Sequence, residues 1–222
     1  MDTLASPRPT AAATTPTEGL WRPALVLFAA LSLITGLAYP LAVTGVAQAT
    51  LADPANGSLV WRDGKAIGSS LIGQPFSDPA HFWGRPSATS PMPDNAANSG
   101  GSNLGPSNPA LVTAVKDRID ALRAADPGQT APVPIDLVTA SASGLDPHIS
   151  VAAAQYQLPR IARLRGVPVA ALQDLVARHT EGILLGFLGE PRVNVLLLNL
   201  DLDARYPAPT APATPTPARP LT

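Results

Sequence analysis

From Ala24 to Ala49 the sequence ALVLFAALSLITGLAYPLAVTGVAQA carries no charged residue. A helix over this run, rising about 1.5 Å per residue, reaches about 39 Å, more than the roughly 30 Å hydrocarbon core of a bilayer. The pattern predicts a membrane anchor over Leu25 to Val46, with Trp21 and Tyr39 at headgroup level and Arg22 snorkelling to the interface. Pro40 lies near one end and is expected to kink the helix. Two other readings stay open. Ala47-Gln48-Ala49 has the small-residue form of a signal-peptide cleavage site, although the apolar run is much longer than a signal core of about 7–15 residues. A buried core helix would be shorter and would carry a polar face.

Beyond the anchor the pattern changes to short alternations and then to helical spacing. Leu59-Val60-Trp61 and Ala66-Ile67 flank Asp63-Gly64, which predicts a hairpin. The stretch from Ile67 to Asn108 is rich in Gly, Pro, Ser and Asn and lacks apolar periodicity, so it reads as a long loop. Phe76, Phe82 and Trp83 argue that this loop is ordered against something. Asn108 and Pro109 suit the N-cap and first turn of a helix whose inner face is Leu111, Val112, Val115, Ile119 and Leu122. Asp126-Pro127-Gly128 stops it. A second helix is predicted from Ser150 to Arg165, interrupted or kinked at Pro159 and closed by Gly166. A third runs from Pro168 to Thr180 with Leu172, Leu175 and Val176 inward. VNVLLLNLDL, Val193 to Leu202, reads as a buried strand. The count of elements gives an α+β domain behind one transmembrane helix.

Composition refines this picture at the ends and in the choice of partners. The 222 residues include 26 prolines, many of them in Met1–Thr17 and Pro207–Thr222, which hold almost no large apolar residues. Such tracts cannot bury enough surface to offset chain entropy and read as disordered tails. The expected organisation is an N-terminal extension over 1–20, the anchor over 21–49, an extracytoplasmic α+β domain over 50–206 and a proline-rich tail over 207–222. A net charge of −1 gives no reason to expect a nucleic-acid partner. The absence of cysteine excludes disulfides, thiolate metal sites and a cysteine nucleophile. Arg8 and Arg22 precede the anchor, and no Lys or Arg follows it until Arg62. This bias places the N-terminus in the cytoplasm and the domain outside the inner membrane, in the periplasm of a bacterium with two membranes.

Few residues offer catalytic chemistry. A P-loop is absent, since Gly64-Lys65 is followed by Ala66, and no G-x-G-x-x-G or G-x-S-x-G occurs. His81, His148 and His179 lack a partner at metal-site spacing, and His179 is expected to face solvent. Ser143, Asp146 and His148 lie too close along the chain for a triad, and Asp146-Pro147 reads as a turn. SGGSNLGPSNPAL, Ser99 to Leu111, ends at a helix N-terminus where backbone N–H groups are free, but no basic residue stands nearby to pair a phosphate. It is expected to be an ordered docking loop in which Gly100 and Gly101 supply positive φ.

Five stretches occur together and in order: LIGQPFSDPAHFWGRPSAT, SGGSNLGPSNPAL, VPIDLVTASASGLDPHIS, AAAQYQLPRIARLRG and VNVLLLNLDL, preceded by ITGLAYPL in the anchor. In these the chain resembles the C subunit of the Kdp potassium-transporting ATPase, over about Arg22 to Ala204. The resemblance implies a non-catalytic accessory subunit of an inner-membrane complex. Its partners would be a channel-like potassium-binding subunit and a P-type ATPase subunit. It also implies a catalytic chaperone that raises the pump subunit's affinity for ATP, the shared cofactor. The implied nucleotide-binding residues are Ser141, Ser143, Gly144 and Gln157, with no catalytic residue and no metal ligand. Docking over the potassium-uptake face suits the orientation read from the charges. The alternative from another class is a secreted periplasmic binding or scaffold protein released by signal cleavage.

Overall fold

The computed structural model describes residues 19–183 and 185–208. Both tails predicted to be disordered, Met1–Thr17 and all but the first residues of Pro207–Thr222, lie outside the described residues. The chain divides after Asn56 into two units.

The first unit is dominated by one helix from Trp21 to Thr50, which contains the predicted span Leu25–Val46 and runs one residue past the anchor expected over 21–49. It consists of α1 (Trp21–Leu33), a π-helical turn (Ile34–Ala38) and α2 (Tyr39–Thr50). Pro40 has no N–H to donate to a carbonyl one turn back. The wider turn stands directly before it, closed by the Tyr39 N–H on the Ile34 carbonyl. Such turns absorb an interruption of the helical ladder without breaking the helix. Two threonine hydroxyls of this apolar segment are satisfied within it: Thr35 donates to the Leu31 carbonyl at 2.7 Å and Thr50 to that of Val46 at 2.8 Å. The short α3 (Ala52–Ala55) follows, and Gln48 and Asn56 exchange amide hydrogen bonds at 3.2 and 3.1 Å.

The second unit is α+β, as the sequence predicts. β1 (Leu59–Arg62) and β2 (Lys65–Ser69) form the expected antiparallel hairpin. Asp63 and Gly64 both take positive φ, +51° and +74°, which gives the turn a twist matching the strands. After the long loop, α4 (Pro109–Ala125) is capped by the Asn108 side chain, which accepts from the Ala110 N–H at 2.9 Å. β3 (His148–Ser150) leads without a break into α5 (Val151–Arg165), and α6 (Val169–Arg178) follows. β4 (Thr180–Glu181) and β5 (Arg192–Asn194) complete a three-stranded antiparallel sheet in the order β3-β5-β4, and α7 (Val195–Arg205) closes the fold. The core joins Ile149, Ile161, Leu172, Leu175, Val193, Leu198 and Leu202 with Phe82, so the loop aromatic is as deeply buried as any helix residue.

Four expectations change. Val193–Leu202 is not a strand: β5 ends at Asn194, and a helix begins at Val195. The Asn194 side chain caps it, accepting from the Leu197 N–H at 3.1 Å. Val195, Leu198, Asn199 and Leu202 are buried at helical spacing, which a short apolar run conceals. α5 runs through Pro159 uninterrupted. Val112 is 62% exposed, so the inner face of α4 begins with Leu111 and Val115. His179 is half-buried rather than solvent-facing, because its Nε2 lies 3.0 Å from Asp201 Oδ2.

Asn194 joins the sheet to the helix, and its Nδ2 also donates to the Ser70 carbonyl at 2.7 Å. Asn194→Ala removes a cap and orphans a carbonyl. It is expected to cost about 2 kcal/mol in urea unfolding of the detergent-solubilised chain. No measurable loss would mean that α7 starts without this cap.

Candidate functional site

The loop between the hairpin and α4 is held by side chains rather than by a neighbouring strand. Phe82 sits at 0% exposure, and its backbone is read at both ends by Asn199 of α7: the Phe82 N–H donates to Oδ1 and Nδ2 donates to the Phe82 carbonyl, each at 2.9 Å. Gln157 of α5 does the same for Trp83, accepting from its N–H at 2.8 Å and donating to its carbonyl at 3.1 Å. Arg160, 2% exposed, donates to the Pro79 and His81 carbonyls and to Gln157 Oε1. Its guanidinium lies 4.8 Å from the centre of the Trp83 ring, a cation–π contact. Burial pushes the Arg160 pKa down to about 10, opposed by Asp126 and Asp78, so the group stays charged at neutral pH. Arg165 donates to the Ala80 carbonyl at 2.7 Å and pairs with Asp203 at 2.8 Å, and Asp203 also meets His81 at 2.9 Å.

A second layer locks the glycine-rich stretch onto the Ser141–Leu145 turn. The Gly100 N–H and the Ser99 hydroxyl both donate to the Ser143 carbonyl, at 2.9 and 3.0 Å. The Ser87 hydroxyl donates to the Gly144 carbonyl at 2.6 Å and accepts from the Asp94 N–H at 2.9 Å. Gly100 and Gly101 do not supply positive φ as expected. It belongs to Gly144 across the contact, at +67°. A Cβ on Gly144 would come within 2.6 Å of the Gly100 carbonyl oxygen, and one on Gly101 within 2.7 Å of that of Ala142. Glycine is needed there because two backbones touch. The glycine-rich stretch is therefore an ordered loop seated on its own domain.

Beyond the turn runs a chain of ionisable side chains. Arg85 pairs with Asp146 at 3.1 Å, His148 lies 3.4 Å from Asp146 and 3.7 Å from Glu181, and Glu181 pairs with Arg192 at 2.8 Å. Burial alone would raise the Asp146 carboxyl. The hydrogen bonds from the His148 side chain and backbone and from Arg85 outweigh it and hold the group below the ordinary carboxylate range. Asp146 also accepts from the His148 N–H at 3.0 Å, so Asp146-Pro147 forms the predicted turn. Among the described residues no group of three or more His, Cys, Asp or Glu could hold a metal ion.

The residues implied as nucleotide contacts fall in two places. Ser141, Ser143 and Gly144 share the turn, with the two hydroxyls 3.5 Å apart. Ser141 and Gly144 are buried, and Ser143 is exposed. Gln157 stands apart from them in the core at 1% exposure, with both amide ends occupied by Trp83, Ala153 and Arg160. Sequence reading missed Asn199, Arg160 and Arg165, which complete the clamp. The signal for Asn199 is an amide interrupting the apolar run LLLNLDL. For the arginines it is two cations at positions 160 and 165 on the same helix as buried Ile161 and Leu158.

The profile of the family described as "K+-transporting ATPase, c chain" matches residues 21–204. Three relatives bear the name "Potassium-transporting ATPase KdpC subunit". That of Polaromonas naphthalenivorans is 68% identical over 190 residues, covering 86% of this chain and 97% of the relative. That of Variovorax paradoxus is 70% identical over 183 residues, covering 82% and 95%. That of Sorangium cellulosum is 65% identical over 182 residues, covering 82% and 96%.

Gln157→Ala strips both partners from the Trp83 backbone, and Asn199→Ala does so for Phe82. Each is expected to cost about 2–4 kcal/mol in urea unfolding followed by tryptophan fluorescence. Ser143→Ala, at an exposed position, should lie within about 1 kcal/mol of the unaltered chain. A Gln157→Ala chain as stable as the Ser143→Ala chain would show that the clamp does not hold the loop.

Proposed function

Because this chain belongs to the KdpC family, the c chains of K+-transporting ATPases, we propose that it serves as a non-catalytic accessory subunit that assembles and stabilises an ATP-driven potassium-uptake complex. The observation that carries the reading is the Trp21–Thr50 helix: 30 residues, apolar, and with none of its hydropathic window buried. Such a surface needs lipid or other membrane helices to cover it. The helix anchors the subunit in the inner membrane with its N-terminus in the cytoplasm. The α+β domain then lies on the periplasmic side, over the channel-like subunit that receives potassium.

Two features support an effect on ATP use that acts through assembly. Gln157 has no amide group left to offer a nucleotide, since Oε1 and Nε2 are both taken by backbone and Arg160. One side of the Ser141–Gly144 turn is taken by the glycine-rich loop. On this reading the subunit raises the pump subunit's affinity for ATP by holding the complex in a competent arrangement, and Ser141, Ser143, Gly144 and Gln157 maintain the shape of the docking domain.

Two measurements test this. Because the chain has no cysteine, a single Ser107→Cys can be labelled with an impermeant maleimide, and intact spheroplasts should label it. Protection there, or recovery of a soluble form beginning at Thr50, would overturn the anchored, outward-facing reading. In the assembled complex, Gln157→Ala should lower potassium-stimulated ATPase activity in step with the amount of subunit retained. A changed apparent affinity for ATP at full retention would instead put nucleotide in contact with this part of the domain.

A further inference from the structure

We propose that the cavity between the 75–94 loop and α4 binds an apolar α-amino acid of leucine's size as its zwitterion, with the carboxylate toward Arg118, the ammonium toward Asp94 and the side chain against Phe76, Trp83 and Leu122. The cavity measures about 260 Å³. That is small for a nucleotide or a large cofactor, whose pockets run from about 300 Å³ upward, and it suits an amino acid. Its walls are mostly apolar with a few polar groups, the ordinary make-up of a small-molecule pocket. Gln157 holds the Trp83 backbone, and Arg160 braces the indole without lining the cavity. This wall is therefore preformed, which lowers the entropy lost when a ligand settles on it.

The ligand class is argued from the charges. Arg85, Asp94 and Arg118 are the charged side chains that line the cavity. Arg85 is already matched, since Nη1 donates to Asp146 at 3.1 Å and Nη2 to the Ala140 carbonyl at 3.4 Å. One charge of each sign is left. Arg118 donates to the Val138 carbonyl at 2.8 Å, and among the described residues neither it nor Asp94 makes an ion pair, with each other or with anything else. Burial pushes the Asp94 carboxyl up and the Arg118 guanidinium down, and no opposite charge offsets either shift. A lone anion would leave Asp94 unpaired and bring a like charge near it. A lone cation would do the same to Arg118. A ligand with both signs supplies both missing partners, through charge-assisted hydrogen bonds.

The backbone keeps a place for the acidic partner. Asp94 stands at φ +53°, a region that most side chains avoid and aspartate tolerates. Its N–H donates to the Ser87 hydroxyl at 2.9 Å, which pins the residue in that conformation. A Cβ on residue 73 would come within 2.5 Å of Asp94 Oδ1, so the glycine there leaves room for the carboxylate. Asp94 belongs to the loop and Arg118 to α4, so the two charges come from the two elements on either side of the cavity. A ligand bound to both would tie the loop to the helix. The proposal does not rest on the assembly role, and its test needs no pump subunit.

The test is equilibrium dialysis of the full chain in detergent against three ligands of one shape: L-leucine, 4-methylpentanoate, which lacks the ammonium, and 3-methylbutylamine, which lacks the carboxylate. Leucine should bind saturably at one per chain, and each analogue at least tenfold more weakly. This comparison needs no variant, so it stands whether or not a substitution disturbs the fold. In chains that keep their far-ultraviolet circular dichroism, Asp94→Asn should weaken leucine at least tenfold and leave 4-methylpentanoate within twofold. Arg118→Gln should weaken leucine at least tenfold and leave 3-methylbutylamine within twofold. Absence of saturable leucine binding would overturn the proposal. So would an analogue that binds as tightly as leucine, or a folded variant in which leucine and the matching analogue weaken together.

Discussion

The fold depends on hydrogen-bonding a buried stretch of backbone that has no strand beside it. Phe82 is wholly buried, so its N–H and carbonyl, and those of Trp83, need partners that water cannot supply. Two carboxamides provide them, one from each of two helices distant in sequence. A carboxamide carries a donor and an acceptor side by side, as a peptide unit does, so Asn199 and Gln157 act as short substitutes for a neighbouring strand. Through these four bonds a loop without regular structure becomes the layer against which α5 and α7 are set. Arg160 and Arg165 extend the same logic to Pro79, Ala80 and His81.

The glycine-rich stretch shows a related economy. Where Gly101 meets Ala142 and Gly144 meets Gly100, no side chain fits between the two backbones. The close approach lets one carbonyl, that of Ser143, take two donors from the facing loop. Together with the Ser87 bridge this fixes the long loop at both ends, by Trp83 and by Gly100. Its surface is then preformed, and a preformed surface loses little entropy when a partner settles on it.

Much of this was legible beforehand, and the failures have definite causes. Helix caps were readable because Asn108, Ser150 and Gly166 are residues whose local chemistry decides their role: the Ser150 hydroxyl accepts from the Ala153 N–H at 3.0 Å, and Gly166 takes φ +66°. The hairpin was readable from Asp63-Gly64. α7 was not, since VLLLNL is as apolar as a buried strand, and the deciding bond, Asn194 to Leu197, depends on where β5 ends. Strands of two or three residues, such as Thr180–Glu181, leave no periodicity to detect. The clamp was hidden for another reason. Gln157 and Asn199 look like ordinary polar residues until the loop they bind, more than 70 positions earlier, is known to be buried between them.

The π turn before Pro40 has a consequence for how the long helix presents its sides. A turn of this kind holds one residue more than an α-helical turn, and each residue advances the azimuth by about 100°. Side chains from Tyr39 onward are therefore rotated by about that angle from where an unbroken α-helix would point them. A wheel drawn from Trp21 to Thr50 as one helix would group Leu27 and Leu31 with the wrong residues among Leu41, Val43 and Val46. The two halves have to be drawn separately, and they face two different azimuths.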